Sequence, residues 1–544
     1  MLRDQLRQTI ADASGVDISE VQLEHPNLES YGDYSTNIAI KNKLDAKAIA
    51  SQILGASVAG PGFINITLTP KILLEQLVHC IEMPNYCQGQ TWLIEHTSPN
   101  PNKAMHLGHL RNNVTGMAVA NIWEACGINV IRDDIDNNRG IAIAKFMWGY
   151  KNFPTNTNLR PDRMVDELYV KASEAFEKNE LAQKEIKQMV VDWEAGDKET
   201  RKLWETVLDY SYKGQEMTLK RLGNKWDKIW HEHEHYQNGK DIVKEALAKN
   251  IFRKSDGAVI TNLKEYGIPD TVVIKSDGTS LYITQDLALT KLKKETFKPD
   301  KMYWTIGPEQ SLALKQVFAV CEQLGIGKLS EFIHLAYGYM SIKGQGKMSS
   351  RKGNVVYIDD LLNMARDRVI KDRGVDSELA EKVGVGAVKY FILKIGRLQD
   401  TAFDLEESVS FEGNSGPYLQ YTYARTQSVL AKTQKLPARR CYASSVAGGE
   451  NSKTQNISLN SEELSILRHI YKFPEVVEEA ASRYSPNLLC NFIYELAQRY
   501  NTFYNLHSIL SGDNIEFRVS LTKVVGEVLK KGLNLLGITA PEKM

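Results

Sequence analysis

The spacing of hydrophobic and polar residues changes several times along the chain, and each change predicts a different structure. The N-terminal MLRDQLRQTIADASGV has the apolar spacing of a helix, and FINITL at 63–68 has that of a strand. TWLIEHT at 91–97 and INVIRDD at 128–134 have the apolar runs that are typical of strands buried in a parallel sheet. Between these two strands the pattern predicts a helix over 106–126.

A charged and strongly helical segment at 153–255 interrupts this alternation. It resumes with strands predicted for DTVVIKS at 270–276 and KMYWTIG at 301–307, and an amphipathic helix follows the second. From residue 361 onward the pattern is helical, apart from a polar stretch at 436–460 that we expect to be a long surface loop. The pattern predicts an α/β multidomain protein with a split Rossmann-like, doubly wound parallel sheet around a helical insertion.

The same changes of pattern divide the chain into six expected segments. They are a small N-terminal α/β domain at 1–85, the first half of the sheet at 86–152, the insertion at 153–255, the second half of the sheet at 256–360, a connecting helical segment at 361–405 and an all-α C-terminal domain at 406–544. A length of 544 residues agrees with several hydrophobic cores rather than one.

Composition narrows the functional classes only a little. Lys+Arg and Asp+Glu are both 67, so an RNA partner would have to be bound by local basic patches. The six cysteines include no Cys-x-x-Cys pair, which argues against structural zinc and agrees with reduced cytoplasmic thiols. We find neither a targeting signal nor an apolar run long enough to span a membrane, so we expect a cytoplasmic protein without membrane contact.

The segment SPNPNKAMHLGHLRN at 98–112 is the first candidate for chemistry. A helix that begins near His106 presents free backbone N–H groups, and Gly108 allows a phosphate or a flat ring to approach them. His106 and His109 are three residues apart and would lie on the same helical face. A phosphate site, a metal site and a pair of incidental histidines all remain open, although zinc is disfavoured because no third ligand is near in sequence.

A second segment, IKGQGKMSSRKGN at 342–354, carries four cations and no acid. The cations are Lys343, Lys347, Arg351 and Lys352. A solvated basic loop is one interpretation, whereas the glycine spacing does not fit a P-loop. Together with the histidine pair, this segment favours adenylyl transfer from ATP, in which histidines and lysines stabilise charge in an in-line transition state.

The two segments resemble the HIGH and KMSKS motifs of class I aminoacyl-tRNA synthetases, and the residues around them are similar to the arginyl-tRNA synthetase family. The resemblance extends over nearly the whole chain. It is carried by YGDYSTNIA (31–39), IEHTSPNPNKAMHLGHLRN (94–112), DNNRGIAIAK (136–145), DGTSLYITQDLAL (277–289), GPEQSLALKQVF (307–318), FEGNSGPYLQYTYAR (411–425) and LLGITAPEKM (535–544). It implies an arginine–tRNA ligase that acts as a monomer on L-arginine, ATP with Mg²⁺, and tRNA(Arg).

The resemblance also implies roles for particular residues. Those implied to be catalytic are His106, His109, Lys103 and Lys347, and those implied to bind ATP are the same four with Gly108, Met348 and Ser349. Those implied to bind arginine are Glu95, Ser98, Pro99, Asn100, His109, Glu232, Tyr282, Asp286 and Gln310. Carboxylates and an aromatic edge suit a planar guanidinium, and Tyr282 and Asp286 are four residues apart on one predicted helical face.

Contacts with tRNA are expected from both terminal domains. Phe63 and Asn65 are candidates in the N-terminal domain, and the C-terminal Met544 is a candidate in the proposed anticodon-binding domain. Tyr418, Tyr421 and Arg425 could stack on unpaired anticodon bases. The alternative is that the tyrosines only pack between helices.

The sequence departs from the family pattern in two places. Ser350 stands where the KMSKS motif has its second lysine. The resemblance implies that Lys103 supplies to ATP the positive charge that this lysine would have carried. WHEHEHY at 230–236, if it formed a strand, would place three histidines on one face, so a metal site is one interpretation. The other is that the resemblance implies an acidic residue of the amino acid pocket at Glu232.

Other functions fit less of the chain. A cofactor nucleotidylyltransferase of the same superfamily would leave the helical C-terminal third without a role. A non-catalytic RNA-binding relative should have lost His106, His109 or Lys347, and all three are present. A synthetase for cysteine or leucine would bring zinc ligands or an editing insertion, and neither is apparent.

Overall fold

The computed structural model describes residues 1–278, 281–344, 356–433 and 457–544. The N-terminal domain is a three-stranded antiparallel sheet, in the order β1-β3-β2, with helices packed against it. Its strands are β1 (Tyr34–Thr36), β2 (Ala56–Ala59) and β3 (Phe63–Ile66), and its helices are α1 (Leu2–Ser14), α2 (Ile38–Asn42), α3 (Ala46–Ala50) and α4 (Pro70–Gln76). The predicted N-terminal helix and the strand in FINITL are both confirmed.

The first half of the central sheet follows the predicted strand–helix alternation. It comprises β4 (Thr91–Glu95), α5 (Leu107–Ala125), β5 (Asn129–Asp136) and α6 (Ile141–Asn152). Helix α5 is buried on most of its surface because it lies between the sheet and the C-terminal helices. Trp123 on this helix packs edge-on against Trp92 and donates a hydrogen bond from Nε1 to the carbonyl oxygen of Ala481, 3.0 Å away.

Three helices form the body of the insertion, as the charged segment predicted. They are α7 (Pro161–Lys178), α8 (Glu180–Ala195) and α9 (Lys198–Arg221). The Asn179 and Asp197 side chains cap α8 and α9, and the apolar faces of the helices pack on Phe146 and Met147 of α6.

The chain then returns to the sheet and forms a small second sheet. The elements are β6 (Lys228–His231), α10 (Glu232–His235), α11 (Asn238–Ala248), β7 (Arg253–Ser255), β8 (Ala258–Ile260) and β9 (Val272–Ile274). The strand expected in DTVVIKS is β9, but its place in the parallel sheet was predicted wrongly, because it pairs antiparallel with β8. WHEHEHY does not form a continuous strand, since β6 ends at His231 and a helical turn follows, so its three histidines do not share a strand face.

The second half of the central sheet completes a five-stranded parallel sheet in the order β11-β10-β4-β5-β6. Its elements are α12 (Tyr282–Phe297), β10 (Lys301–Trp304), α13 (Ser311–Leu324) and β11 (Phe332–His334). In chain order these strands read 3-2-1-4-5 across the sheet, the order of a doubly wound fold. The predicted Rossmann-like architecture is therefore confirmed.

The remainder is helical apart from β12 (Met340–Ile342) and β13 (Thr401–Phe403), which pair in parallel. The helices are α14 (Ile358–Arg373), α15 (Ser377–Leu393), α16 (Leu405–Val409), α17 (Gly416–Thr433), α18 (Ser461–Ile470), α19 (Phe473–Ser482), α20 (Pro486–Leu506) and α21 (Ile515–Leu535). Most of the polar stretch expected to be a surface loop lies outside the described residues. No helix in the described ranges is long and apolar enough to cross a membrane.

Candidate active site

The carboxyl ends of β4 and β10 form the crevice at the centre of the sheet. These two strands are neighbours, with Glu95 opposite Trp304, and their following helices continue the sheet in opposite directions. In doubly wound sheets such a switch point is where ligands bind. The histidine motif follows β4, and Gln310 lies in the turn after β10, so the first motif and Gln310 both reach this crevice.

The turn after β4 is held in a conformation that side chains rarely adopt. Thr97 and Ser98 have φ values of 75° and 41°. The Thr97 N–H donates to Asn112 Oδ1 and the Ser98 N–H donates to Asp134 Oδ1, both at 2.7 Å. Such left-handed residues cost about 1–3 kcal/mol each and persist where surrounding contacts fix them. The turn brings Ser98 and Asn100 to the cavity wall.

His106 and His109 cap the start of α5 with their own rings. The Gly108 N–H donates to His106 Nδ1 at 3.2 Å, and the His106 N–H donates to His109 Nδ1 at 3.1 Å. Because Nδ1 accepts in both rings, each neutral imidazole carries its proton on Nε2, which is left as a donor. Burial, with the nearby Lys103 charge, lowers the pKa of His106 to about 4, and burial also lowers that of His109.

Gly108 lets the His106 ring lie close against the start of the helix. A Cβ at this position would lie 3.1 Å from His106 Cε1. Lys103, in the preceding turn, is largely buried, and this burial lowers its pKa although Asp166 opposes the effect. The first motif is thus a helix start with two neutral N–H donors and one partly desolvated lysine.

The second motif is only partly described. Lys347, Met348 and Ser349, together with Ser350, lie outside the described residues. Residues 356–358, where the description of the chain resumes, pair with the first motif: the Leu107 N–H donates to the Val356 carbonyl and the Ile358 N–H donates to that of Met105, both at 3.1 Å.

A cavity of about 590 Å³ opens at the end of β4 and β10. It brings together seven of the nine residues expected to bind arginine, namely Glu95, Ser98, Asn100, Glu232, Tyr282, Asp286 and Gln310. Tyr282 stands at the rim and is 82% exposed. Pro99 and His109 are not in its wall: Pro99 is buried behind the turn, and His109 lies at the adjacent helix start.

Three carboxylates face this cavity, and two of them already have a cation. Glu95 Oε2 lies 2.6 Å from Lys293 Nζ, and Glu232 Oε1 lies 3.4 Å from an Arg139 nitrogen. Asp286 makes no ion pair with any described residue. Its carboxylate opens into the cavity, where the surrounding walls keep much of the bulk water away from it. This desolvation, with the negative charges of Glu95 and Glu232, raises the pKa of Asp286 to about 7. Asp286 is therefore the cavity carboxylate with which a bound cation could pair.

Lys293 is a residue that the sequence analysis missed. Its ammonium lies 2.6 Å from both Glu95 and Asp133 Oδ2, and the side chain is 1% exposed. Burial alone would lower the pKa of Lys293, but the two carboxylates raise it above its ordinary value. The sequence signal for this role was its spacing: Lys293 is seven residues, or about two helical turns, after Asp286 and therefore lies on the same face of α12.

The three histidines of WHEHEHY are not grouped around a common point. His231 Nδ1 lies 2.9 Å from Asp136 Oδ2, and His233 Nδ1 lies 2.9 Å from Asn138 Nδ2. His235 is buried in the cavity wall, and burial lowers its pKa to about 4. Within the ranges that the structure describes, no group of three or more His, Cys, Asp or Glu could hold a metal ion.

The residues expected to contact tRNA lie on two separate surfaces. On β3, Phe63 is exposed, whereas Asn65 is buried and accepts a hydrogen bond from Ser35 Oγ at 2.8 Å, so it offers little surface to RNA. On α17, the Arg425 guanidinium lies over the Tyr421 and Tyr504 rings, 5.2 and 4.7 Å from their centroids.

Asn501 links Arg425 to Tyr418, another residue expected to contact tRNA. It accepts from Arg425 at 2.6 Å and donates to the Tyr418 hydroxyl at 2.9 Å. Tyr421 and Met544 both line a cavity of about 230 Å³. The predicted C-terminal residues are therefore brought together, with Tyr504 and Asn501 as members that the sequence analysis did not find.

Three family models match consecutive parts of the chain. Residues 1–68 match the arginyl tRNA synthetase N terminal domain, residues 71–405 the catalytic domain of class I tRNA synthetases (R), and residues 419–544 the DALR anticodon binding domain. The catalytic match alone covers more than half of the chain.

Relatives and solved structures agree with these matches. The chain is 34% identical over 531 residues to arginine–tRNA ligase of Parabacteroides distasonis, covering 89% of this chain and 86% of the relative. It is 36% identical over 512 residues to that of Treponema denticola, covering 89% and 85%. Thermus thermophilus arginyl-tRNA synthetase shares the fold, with a TM-score of 0.84 over 100% of both chains at 23% identity. Taken with the family models, these relatives show that the chain belongs to the arginine–tRNA ligases, a family of class I aminoacyl-tRNA synthetases.

Proposed function

We propose that this ligase binds L-arginine in the cavity at the ends of β4 and β10 and binds ATP at the start of α5. The observation that carries the proposal is the unpaired Asp286 carboxylate among cavity acids that already have cations. A guanidinium is planar and always charged, so it can pair with Asp286 while Glu95 and Glu232 accept further hydrogen bonds. Tyr282 completes the side-chain pocket, and Ser98, Asn100, His109 and Gln310 surround the amino acid moiety.

The adjacent helix start suits the ATP phosphates. The neutral Nε2–H groups of His106 and His109 donate to phosphate oxygens, Gly108 permits close approach, and Lys103 adds a cation. Lys347, Met348 and Ser349 are assigned to ATP from the motif alone. Mg²⁺ enters with ATP as part of the substrate, because it is usually held by phosphate oxygens rather than by an all-protein cage.

The activation step needs no nucleophile from the protein. A carboxylate oxygen of arginine attacks the α-phosphorus, the new O–P bond forms, and the bond to the bridging oxygen breaks to release pyrophosphate. The charge that develops on the phosphate is stabilised by the His106, His109, Lys103 and Lys347 donors. A ribose hydroxyl of the terminal adenosine then attacks the carbonyl carbon and loses its proton, which passes to the departing phosphate or to solvent, and AMP leaves with the electron pair of the broken C–O bond.

The terminal domains are assigned to tRNA(Arg). The exposed Phe63 would contact it from the N-terminal domain, and Tyr418, Tyr421, Arg425 and Met544 would contact the anticodon from the C-terminal domain. The matched anticodon-binding model supports the second assignment. We further propose that the protein acts as a cytoplasmic monomer and that its domains follow the six segments 1–85, 86–152, 153–255, 256–360, 361–405 and 406–544.

Asp286→Asn tests the arginine site, because it keeps the shape of the side chain and removes its charge. Leaving a bound guanidinium without its partner costs about 3–5 kcal/mol, so kcat/KM for arginine should fall roughly 10²- to 10⁴-fold in tRNA charging. Glu245→Gln is the matched control, since Glu245 pairs with Lys249 and Lys291 on α11 and α12 outside the cavity wall. If both variants charge tRNA like the parent, Asp286 does not bind the guanidinium.

A further inference from the structure

A second cavity, of about 690 Å³, lies beside α5. It is enclosed by the later part of α5, the end of α9, the start of α15 and the C-terminal segment 534–539. Asn121, in its wall, is fifteen residues along α5 from His106, which at 1.5 Å per residue places it roughly 22 Å from the histidine pair. The wall extends toward the motif as far as Asn113, but the Asn121 end of the cavity lies away from the proposed ATP site, and the cavity shares no lining residue with the proposed arginine site.

Cations exceed acids in the wall of this cavity. Both acids there are already paired, Glu124 with Arg132 at 2.9 Å and Glu381 with Arg221 at 2.8 Å. Lys220 and Lys225 are exposed in the wall and form no ion pair within the described part of the chain. The unbalanced charge of the cavity is thus positive.

Lys389 is the most deeply placed cation of the cavity. It is 7% exposed, and its Nζ donates to the carbonyl oxygens of Leu222 at 2.8 Å and Gly537 at 2.6 Å. An ammonium has three N–H donors, so one of them is not used by these contacts. No carboxylate among the described residues pairs with it, and burial lowers the pKa of Lys389 to about 8.

Asn121 supplies a second donor beside Lys389. Its Oδ1 accepts from Arg132 at 3.1 Å, which fixes the amide so that Nδ2 faces the other way. A Cβ at Gly537 would lie 3.6 Å from Lys389 Nζ and 3.7 Å from Asn121 Nδ2, so both donors border the space that this glycine leaves open. An oxyanion seated there would receive an ammonium and an amide N–H together.

We propose that this cavity binds a phosphate-bearing anion, held by Lys389 and Asn121 at its base and by Lys220 and Lys225 at its mouth. Phosphate suits the site better than a single carboxylate does, because it presents several oxygens to donors on different elements. Such a ligand would contact helix α5, the end of the insertion, helix α15 and the C-terminal segment at once. The same oxyanion chemistry could come from free pyrophosphate or from a phosphodiester of bound tRNA, and experiment separates these two sources.

Calorimetric titration of the full-length protein with pyrophosphate tests the free source. The parent should show a binding event beyond that at the ATP site, and the double variant Lys220→Ala/Lys225→Ala should weaken it roughly five- to tenfold. Lys389→Met should weaken it roughly 10- to 100-fold by removing a buried charged donor. Lys389→Met also removes two hydrogen bonds, to Leu222 and Gly537, and could prevent folding. In that case the Lys220→Ala/Lys225→Ala variant still tests the proposal.

The matched control is Lys198→Ala/Lys202→Ala, which removes the same charge from exposed positions of α9 outside this cavity. The same variants are titrated with tRNA at several salt concentrations. If only tRNA binding is weakened, with a salt slope reduced by about one to two phosphate contacts, the bound group is an RNA phosphodiester. If the cavity variants match the control with both ligands, the proposal is overturned.

Discussion

Replacing Lys293 with methionine would leave two carboxylates together in a buried site. Lys293 Nζ lies 2.6 Å from both Glu95 and Asp133, and the side chains of Lys293 and Asp133 are 1% and 0% exposed. Removing one member of a buried ion pair costs about 3–5 kcal/mol. The opening free energy of α12 at pH 7.5 should therefore fall by this amount, and its amide protection against hydrogen exchange should drop roughly 10²- to 10⁴-fold.

The loss of protection should be smaller at pH 5. Burial, opposed by Lys293, raises the pKa of Asp133 to about 6 in the parent, and without the lysine it should rise further. A carboxyl group whose pKa is raised by folding stabilises the fold below its unfolded pKa, and this contribution is lost as pH rises through the folded pKa. The raised pKa of Lys293 keeps its ammonium charged at both pH 5 and pH 7.5. Titration of Lys293 therefore adds no pH dependence to the stability of the parent protein in this range.

Lys294→Met is the matched control, on the next residue of the same helix. Lys294 Nζ lies 2.7 Å from Glu331, but the two side chains are 22% and 26% exposed. A solvated pair of this kind contributes about 0–1 kcal/mol. Hydrogen exchange of α12 is then compared by mass spectrometry for both variants. Equal protection of α12 in the two variants at pH 7.5 would refute the assignment of Lys293 as the buried counter-ion.

Three further predictions concern catalysis and tRNA. Because the pKa of Asp286 is about 7 in the free protein, kcat/KM for arginine should fall as pH drops through 7, and Asp286→Asn should remove that step. Lys103→Ala should lower the activation rate roughly 10²- to 10³-fold with arginine affinity unchanged, and Ser350→Lys should restore part of it. Arg425→Met should raise KM for tRNA about tenfold and leave KM for ATP unchanged, because Arg425 holds the Tyr421 and Tyr504 rings.

Local patterns were enough to place the first motif. A buried strand, a turn and a helix start are set by residues close together in the sequence, so β4, α5 and the position of His106 were predicted. The strand in DTVVIKS was found, but a short apolar run is the same in parallel and antiparallel sheets. Its pairing with β8 depends on tertiary contacts.

Features built from distant contacts could not be read from the sequence. Lys293 takes its role from Glu95 and Asp133, which lie on different strands, far away in the chain. The alternation in WHEHEHY favours a strand, but the His233 N–H donates to Asn138 Oδ1 at 3.1 Å and a helical turn forms instead. The left-handed Thr97 and Ser98 are likewise fixed by Asn112 and Asp134, not by their own preferences.

Charging of tRNA(Arg) with each of the twenty amino acids tests the proposed arginine site most directly. The purified protein, ATP and Mg²⁺ are incubated with one labelled amino acid at a time, and acid-precipitable tRNA is measured. We predict esterification with arginine alone, and a loss of roughly 10²- to 10⁴-fold in kcat/KM when Asp286 is changed to asparagine. Efficient charging with an uncharged amino acid, or an Asp286→Asn protein as active as the parent, would contradict the account.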